Sequence, residues 1–208
     1  MAPGVETAPR STRERILEAA CDLIAAEGID DVRIARVATR AGASTALVHH
    51  YFSTREELLE EALIHSFELA GEERFGEQRE VEETATQALA RAIRDCLPLP
   101  GPQEREWVLW VELWLRAVRE PSLRPVAARL YERYRRWMAA LVQAGVNSGE
   151  FRSGIDVERV ADVAMALLDG AGVRALIHDP EMGVDAARAL VAERLAAELG
   201  IAPGALAG

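Results

Sequence analysis

Apolar positions recur three and four residues apart from one end of the chain to the other, the spacing that puts a stripe on one face of a helix. Alternating runs of Val, Ile, Thr and aromatic residues between tight turns, the mark of strands, are nearly absent. The pattern predicts an all-α protein. Ser11 with Glu14 is a capping box, after which Ile16, Ala19, Ala20, Leu23 and Ile24 share a face until Gly28 ends the first helix. Two short helices follow, Ile34 to Ala41 and Thr45 to Tyr51, parted by Gly42 and Ala43, with Ser44 placed to cap the second. Neither is long enough to be stable without its neighbours. Thr54 and Glu57 form another capping box, opening a long amphipathic helix through Leu58, Leu59, Ala62, Leu63 and Phe67 toward residue 74.

Farther on, breakers delimit helices at about 80 to 97, 103 to 120, 122 to 148, 156 to 178 and 185 to 199. Pro98, Pro100, Gly101 and Pro102 end one segment, Pro121 parts the next two, Asn147 to Gly154 is a loop, and Pro180 with Gly183 makes the last turn. Residues 1–10 are expected as a disordered arm and 200–208 as a flexible tail. Between them lie a domain at 11–55 and a larger helical domain at 56–199.

Half of the residues are apolar, enough for a sizeable core, which excludes intrinsic disorder. The opening MAPGVETAPR has no apolar signal core, and no run of eighteen residues is free of charge and polarity, so a soluble, cytoplasmic protein without membrane contact is expected. Cys21 and Cys96 are far apart in sequence and are read as reduced core residues. The net charge of −10 argues against nucleic acid until its distribution is examined. Residues 1–55 hold seven arginines and seven acids and sum to zero, whereas 56–208 hold seventeen arginines and twenty-seven acids and carry the whole excess. All twenty-four basic residues are arginine, a bias that a GC-rich genome accounts for.

The two short helices with their Gly-containing turn form a helix-turn-helix candidate, in which the second helix lies in the major groove of DNA. Ile34, Val37, Ala38, Ala41 and Val48 can face inward, leaving Arg36, Arg40, Ser44, Thr45, Ala46, His49 and His50 outward. Small residues at the start of a groove-reading helix let its backbone approach the bases, and donors one turn later read them. Ser44, Thr45 and Ala46, then His49 and His50, meet that demand, and Arg55 is placed to grip a phosphate with the fourth helix's first amides. Other readings are a buried, hydrogen-bonded ring for one histidine and a solvated helix face for Arg36 and Arg40.

Residues 12 to 59 resemble the TetR family of transcriptional repressors through Ala41, Gly42, Ser44, Tyr51, Phe52, Arg55, Leu58 and Leu59, preceded by Ile16, Leu17, Ala20 and Gly28. By that resemblance Arg33 and Tyr51 join the DNA-facing set. The sequence departs from the family pattern at Arg33, where a hydroxyl residue usually caps helix two, at Thr45, where a basic residue is common, and at His49, where many members carry a phosphate-binding Tyr. The resemblance implies a homodimer on a double-stranded DNA operator, with a C-terminal helical bundle for ligand binding and dimerisation, and no cofactor or metal. The C-terminal part resembles the BetI-like branch through its Trp-rich helix and VADVAMALLDG.

Trp107, Trp110 and Trp114 recur at three and four residues and share one helical face, with Trp137 on the next helix. Such a stripe suits an amphipathic or cationic small molecule, with Glu112 as a possible counter-charge, or else packs the core. Val160, Ala164, Leu167, Leu168, Ala171, Ala187, Leu190, Val191 and Leu195 make small-residue stripes suited to a two-fold four-helix interface or to packing within one chain. Two rival functions fit parts of the pattern. DGAGVRA at Asp169 to Ala175 has the outline of a nucleotide-binding turn, but its flanks are helical rather than strand-like, which argues against an enzyme. An all-helical adaptor binding proteins through the tryptophan face is the other.

Overall fold

The computed structural model describes residues 11–75 and 83–207, with the backbone alone at 70–75. Every regular element among these residues is helical, as the periodicity predicts. The chain divides into two compact units, Met1–Glu68 and Leu69–Gly208, so the boundary falls inside a helix rather than at residue 55. The expected arm at residues 1–10, and the expected start of a helix at 80, lie outside the described residues.

In the first unit α1 spans Thr12–Glu27, α2 Ile34–Ala41, α3 Thr45–Tyr51, and α4 begins at Arg55 and continues to Phe75 in the second. The Ser11 hydroxyl accepts from the Glu14 amide at 3.2 Å while the Glu14 carboxylate accepts from the Ser11 amide at 2.7 Å, completing the first capping box. At α4 only half of the second box forms as expected. The Thr54 hydroxyl accepts from the Glu57 amide, but the Glu57 carboxylate reaches past Thr54 to the amide of Ser53. Gly42 ends α2 in the left-handed conformation at φ 64°, which a side chain would strain. Ile16, Leu17, Ile24, Val37, Val48, Phe52, Leu58, Leu59 and Leu63 are fully buried and form the core under the short helices. The buried Cys21 thiol donates to the Ala62 carbonyl at 3.0 Å, linking α1 to α4.

The second unit contains α5 (Ala85–Asp95), α6 (Pro102–Arg119), α7 (Arg124–Ser148), α8 (Val157–Leu176) and α9 (Val184–Leu199). α7 packs on α5, α6 and α8, and α8 also packs on α9. Pro102 occupies the first turn of α6, where its missing N–H costs nothing. The turn after α7 is fitted by Gly145, because a Cβ there would lie 2.1 Å from the Phe151 ring. Glu150, in that turn, accepts from the Ala85 and Thr86 amides and from the hydroxyls of Thr86 and Ser148, all at 2.8 to 3.0 Å. Burial alone would raise its pKa, but these donors outweigh that and hold it at about 2.

The fold departs from two expectations. Seven of the nine residues assigned to a subunit interface, Val160, Ala164, Leu168, Ala171, Ala187, Val191 and Leu195, are buried in the core of one chain. They share one core with residues of α5 and α7, and α8 packs on both α7 and α9. Leu167 is half-buried and Leu190 is 41% exposed. Nor do residues 200–207 form a free tail: Ile201 packs against the core and Leu206 is fully buried in it. No helix among the described residues is long and apolar enough to cross a membrane.

Candidate nucleic-acid interface and aromatic cavity

α3 is two-sided. Val48 and, just past its end, Phe52 are fully buried, and they fix the helix by its inner face. Ser44, Thr45, Ala46, His49, His50 and Tyr51 are all exposed, so neither histidine is a core residue. The Ser44 hydroxyl accepts from the Leu47 amide at 3.1 Å and caps α3. The rings of His50 and Tyr51 meet edge to face at 5.3 Å. The outer surface therefore offers small residues in its first turn and ring donors in its second, and no acid lies between Ser44 and Tyr51.

The arginines around α3 have defined partners. Arg36 pairs with Glu27 and Arg40 with Asp22, both exposed bridges from α2 to α1. Exposed Arg33 donates to the Asp30 carbonyl at 2.6 Å and the Val32 carbonyl at 3.3 Å, and its side chain makes no cap for α2. Arg55 corrects the phosphate-gripping expectation. Its Nε donates to the Val32 carbonyl at 2.7 Å, and one Nη to the carbonyls of Ile29 and Asp30 at 2.6 and 3.0 Å. Those carbonyls belong to the turn between α1 and α2, two of them shared with Arg33, so the Arg55 guanidinium acts as a staple from α4 to that turn. Sequence reasoning missed Arg13, which pairs with Glu61 of α4 and stacks its guanidinium 5.5 Å from the centre of the Phe52 ring.

In the second unit a cleft of about 390 Å³, counting its open mouth, lies among α6, α7 and α8. Trp107, Trp110 and Tyr134 supply aromatic walls, Met165 and Leu168 an apolar one, and Glu106 and Asp169 two carboxylates; Cys96 completes it. The tryptophan stripe is thus partly lining and partly core. Trp107 and Trp110 reach the cleft, whereas Trp114 lies behind them, stacked on Trp110 at 5.4 Å and on Tyr131 at 5.7 Å. Trp137 meets Tyr134 edge-on and does not line the cleft. Glu112 is not in the lining either, since its angular position takes it off that face; the cleft's acids are Glu106 and Asp169 instead. One signal for Asp169 was in the sequence: it is the single acid in the apolar run from Val163 to Val173.

Asp169 accepts from the Tyr131 hydroxyl at 2.8 Å. Burial pushes its pKa up to about 6, and the tyrosine hydrogen bond offsets only part of that. Burial, together with the adjoining carboxylate, also raises the Tyr131 phenol. No basic side chain lines the cleft. A carboxylate desolvated among aromatic rings with no cation beside it favours a positively charged guest.

Comparison with known proteins agrees with this architecture. Residues 16–62 match the model for bacterial regulatory proteins of the tetR family, and residues 85–200 match that for the C-terminal part of BetI-type transcriptional repressors. The chain belongs to the TetR family of transcriptional regulators, which bind DNA through the helix-turn-helix and respond to ligands. It is similar to a putative transcriptional regulator from Saccharomonospora viridis crystallised in complex with choline, at 32% identity and a TM-score of 0.76, covering 86% of this chain and 92% of that one. A putative TetR-family regulator from Rhodococcus sp. is 28% identical with a TM-score of 0.75, covering 90% and 98%. The HTH-type transcriptional regulator BetI of Rhizobium meliloti is 28% identical over 90% of this chain and 89% of its own.

Proposed function

We propose that this chain acts as a homodimeric repressor, released from a near-palindromic operator when a small amphipathic or cationic molecule enters the cleft among α6, α7 and α8. Two copies of α3, about 34 Å or a multiple of it apart, would enter successive major grooves on one side of the duplex. Thr45, Ala46 and His50 would meet base edges, with Ser44, His49, Tyr51 and Arg33 at the backbone. The uninterrupted, exposed, acid-free outer surface of α3 is what supports this most strongly.

Dimerisation is assigned to the outer faces of α8 and α9, the side opposite the buried stripes. Leu190 and Ile177 are exposed there, beside exposed Ala166, Gly170, Ala186 and Ala189. The effector reading rests on the aromatic walls and on Asp169, whose hydrogen bond comes from the Tyr131 hydroxyl rather than a basic side chain, and draws support from the choline complex of the Saccharomonospora viridis relative. α4 runs from the first unit into the second and would transmit the change. A hundredfold loss of operator affinity needs only about 2.7 kcal/mol of differential binding between two states.

Calorimetry with choline and its uncharged carbon isostere 3,3-dimethylbutan-1-ol tests the effector half. Choline is expected to bind at least about tenfold more tightly, the value of roughly 1.4 kcal/mol of cation–π and charge attraction. Equal affinity, or no binding of either, contradicts a cationic effector.

A further inference from the structure

The DGAGVRA string, which resembles a nucleotide-binding turn in sequence, lies wholly within the helical run of α8. Its two glycines differ. A Cβ on Gly170 would meet nothing within 4 Å, whereas one on Gly172 would fall 2.2 Å from Cη2 and 2.4 Å from Cζ2 of Trp107. The obstructing group is a rigid ring, and it is tied at its other end: the indole N–H donates to the Cys96 carbonyl at 3.1 Å, just past α5. Trp107 is 5% exposed and thus gripped between the end of α5 and the bare backbone of α8.

Trp107 and Asp169 both line the cleft, and Asp169 and Gly172 are three residues apart on one face of α8. The place of the indole relative to the carboxylate therefore depends on the side chain that Gly172 lacks. We propose that Gly172 is a specificity-determining positioning residue, seating Trp107 against α8 and so setting which size of cation fits between the indole and Asp169. This rests on the cleft being the effector site. Any β-carbon at 172 must move the ring by about 1 Å to restore ordinary contact, and closely packed surroundings resist that. Phenylalanine at 107 lacks the benzo edge that meets the glycine, so in that background an alanine at 172 has room.

Four proteins decide the matter: wild type, Gly172→Ala, Trp107→Phe and the double variant, each titrated with choline and with tetraethylammonium and each melted without ligand. Gly172→Ala is expected to bind choline at least about tenfold more weakly and to change the choline-to-tetraethylammonium ratio. In the Trp107→Phe background the same change is expected to leave both affinities and the melting temperature nearly as they are. Should Gly172→Ala fail to fold, a folded double variant carries the same meaning, and a double variant that fails while Trp107→Phe folds refutes the seat. Wild-type choline affinity and selectivity in Gly172→Ala, or losses that simply add in the double variant, would overturn the proposal. If wild type binds neither ammonium ion, the effector reading falls instead, and the melting temperatures alone decide the seat: non-additive losses uphold it and additive ones reject it.

Discussion

Asp169 concentrates the conflict between stability and binding in one carboxylate. Its folded pKa lies above that of an unfolded aspartate, so this group's own contribution to stability is fully present below about 3.8 and is lost as pH rises through about 6. Replacing it by asparagine keeps an acceptor for Tyr131 and removes the buried charge. Asp169→Asn is therefore expected to be more stable than wild type at pH 8, by on the order of 2 kcal/mol in urea unfolding, with the gain vanishing near pH 4. The same variant is expected to lose choline binding. Glu150 has the opposite sign. Its folded pKa is depressed to about 2, so its contribution is present above the ordinary carboxylate value of 4.5 and is lost as pH falls from there toward 2. Four donors face it, and a glutamine would turn an amide N–H toward them. Glu150→Gln should cost about 1 kcal/mol at pH 7, solvent screening keeping it low, and should show a flatter acid unfolding profile than wild type.

At the scale of elements, Arg55 carries the sharpest revision. Because its guanidinium serves the carbonyls at 29, 30 and 32, truncation takes the side-chain donor from the Ile29 carbonyl of a partly buried turn and leaves Asp30 and Val32 with Arg33 alone. Arg55→Ala is expected to lower the melting temperature through a loss of about 2 kcal/mol while leaving the salt dependence of DNA binding unchanged; a slope reduced by about one with full stability would restore the phosphate role. Helix positions were legible because caps and breakers are local: Ser11, Ser44, Gly28, Gly42 and Pro121 each act within a turn of where they stand. The exposed residues of α3 were legible for the same reason, since Val48 and Phe52 fix which face turns in. What periodicity cannot say is which partner an apolar stripe meets. The Ala164, Leu168 and Ala171 stripe could pair with a second chain or with helices of its own, and only the fold places it in the core shared with α5, α7 and α9. The cleft's acids were misassigned for a related reason: Asp169 comes to Trp110 from a different helix, and no spacing within α6 records that.

For the whole molecule, the charge boundary at residue 55 and the boundary between the two compact units at residue 68 are the two ends of the α4 segment that joins reading helix to cleft domain. The neutral stretch 1–55 presents the reading helix, five acids of α4 take the first unit from there to −5, and the second unit, which holds the cleft, carries the other −5. If the outer faces of α8 and α9 join two copies, Leu190→Glu should convert a dimer to a monomer in sedimentation and weaken operator binding while leaving the monomer folded. The most direct test of the account is selection of duplex fragments from the host genome by the purified chain, followed by titration of the enriched site at several salt concentrations with wild type and His50→Ala. The account predicts an enriched inverted repeat with half-sites about 10 base pairs apart, and a His50→Ala protein that discriminates less at one position of each half-site. A chain that enriches no sequence, even in dilute buffer, would contradict it.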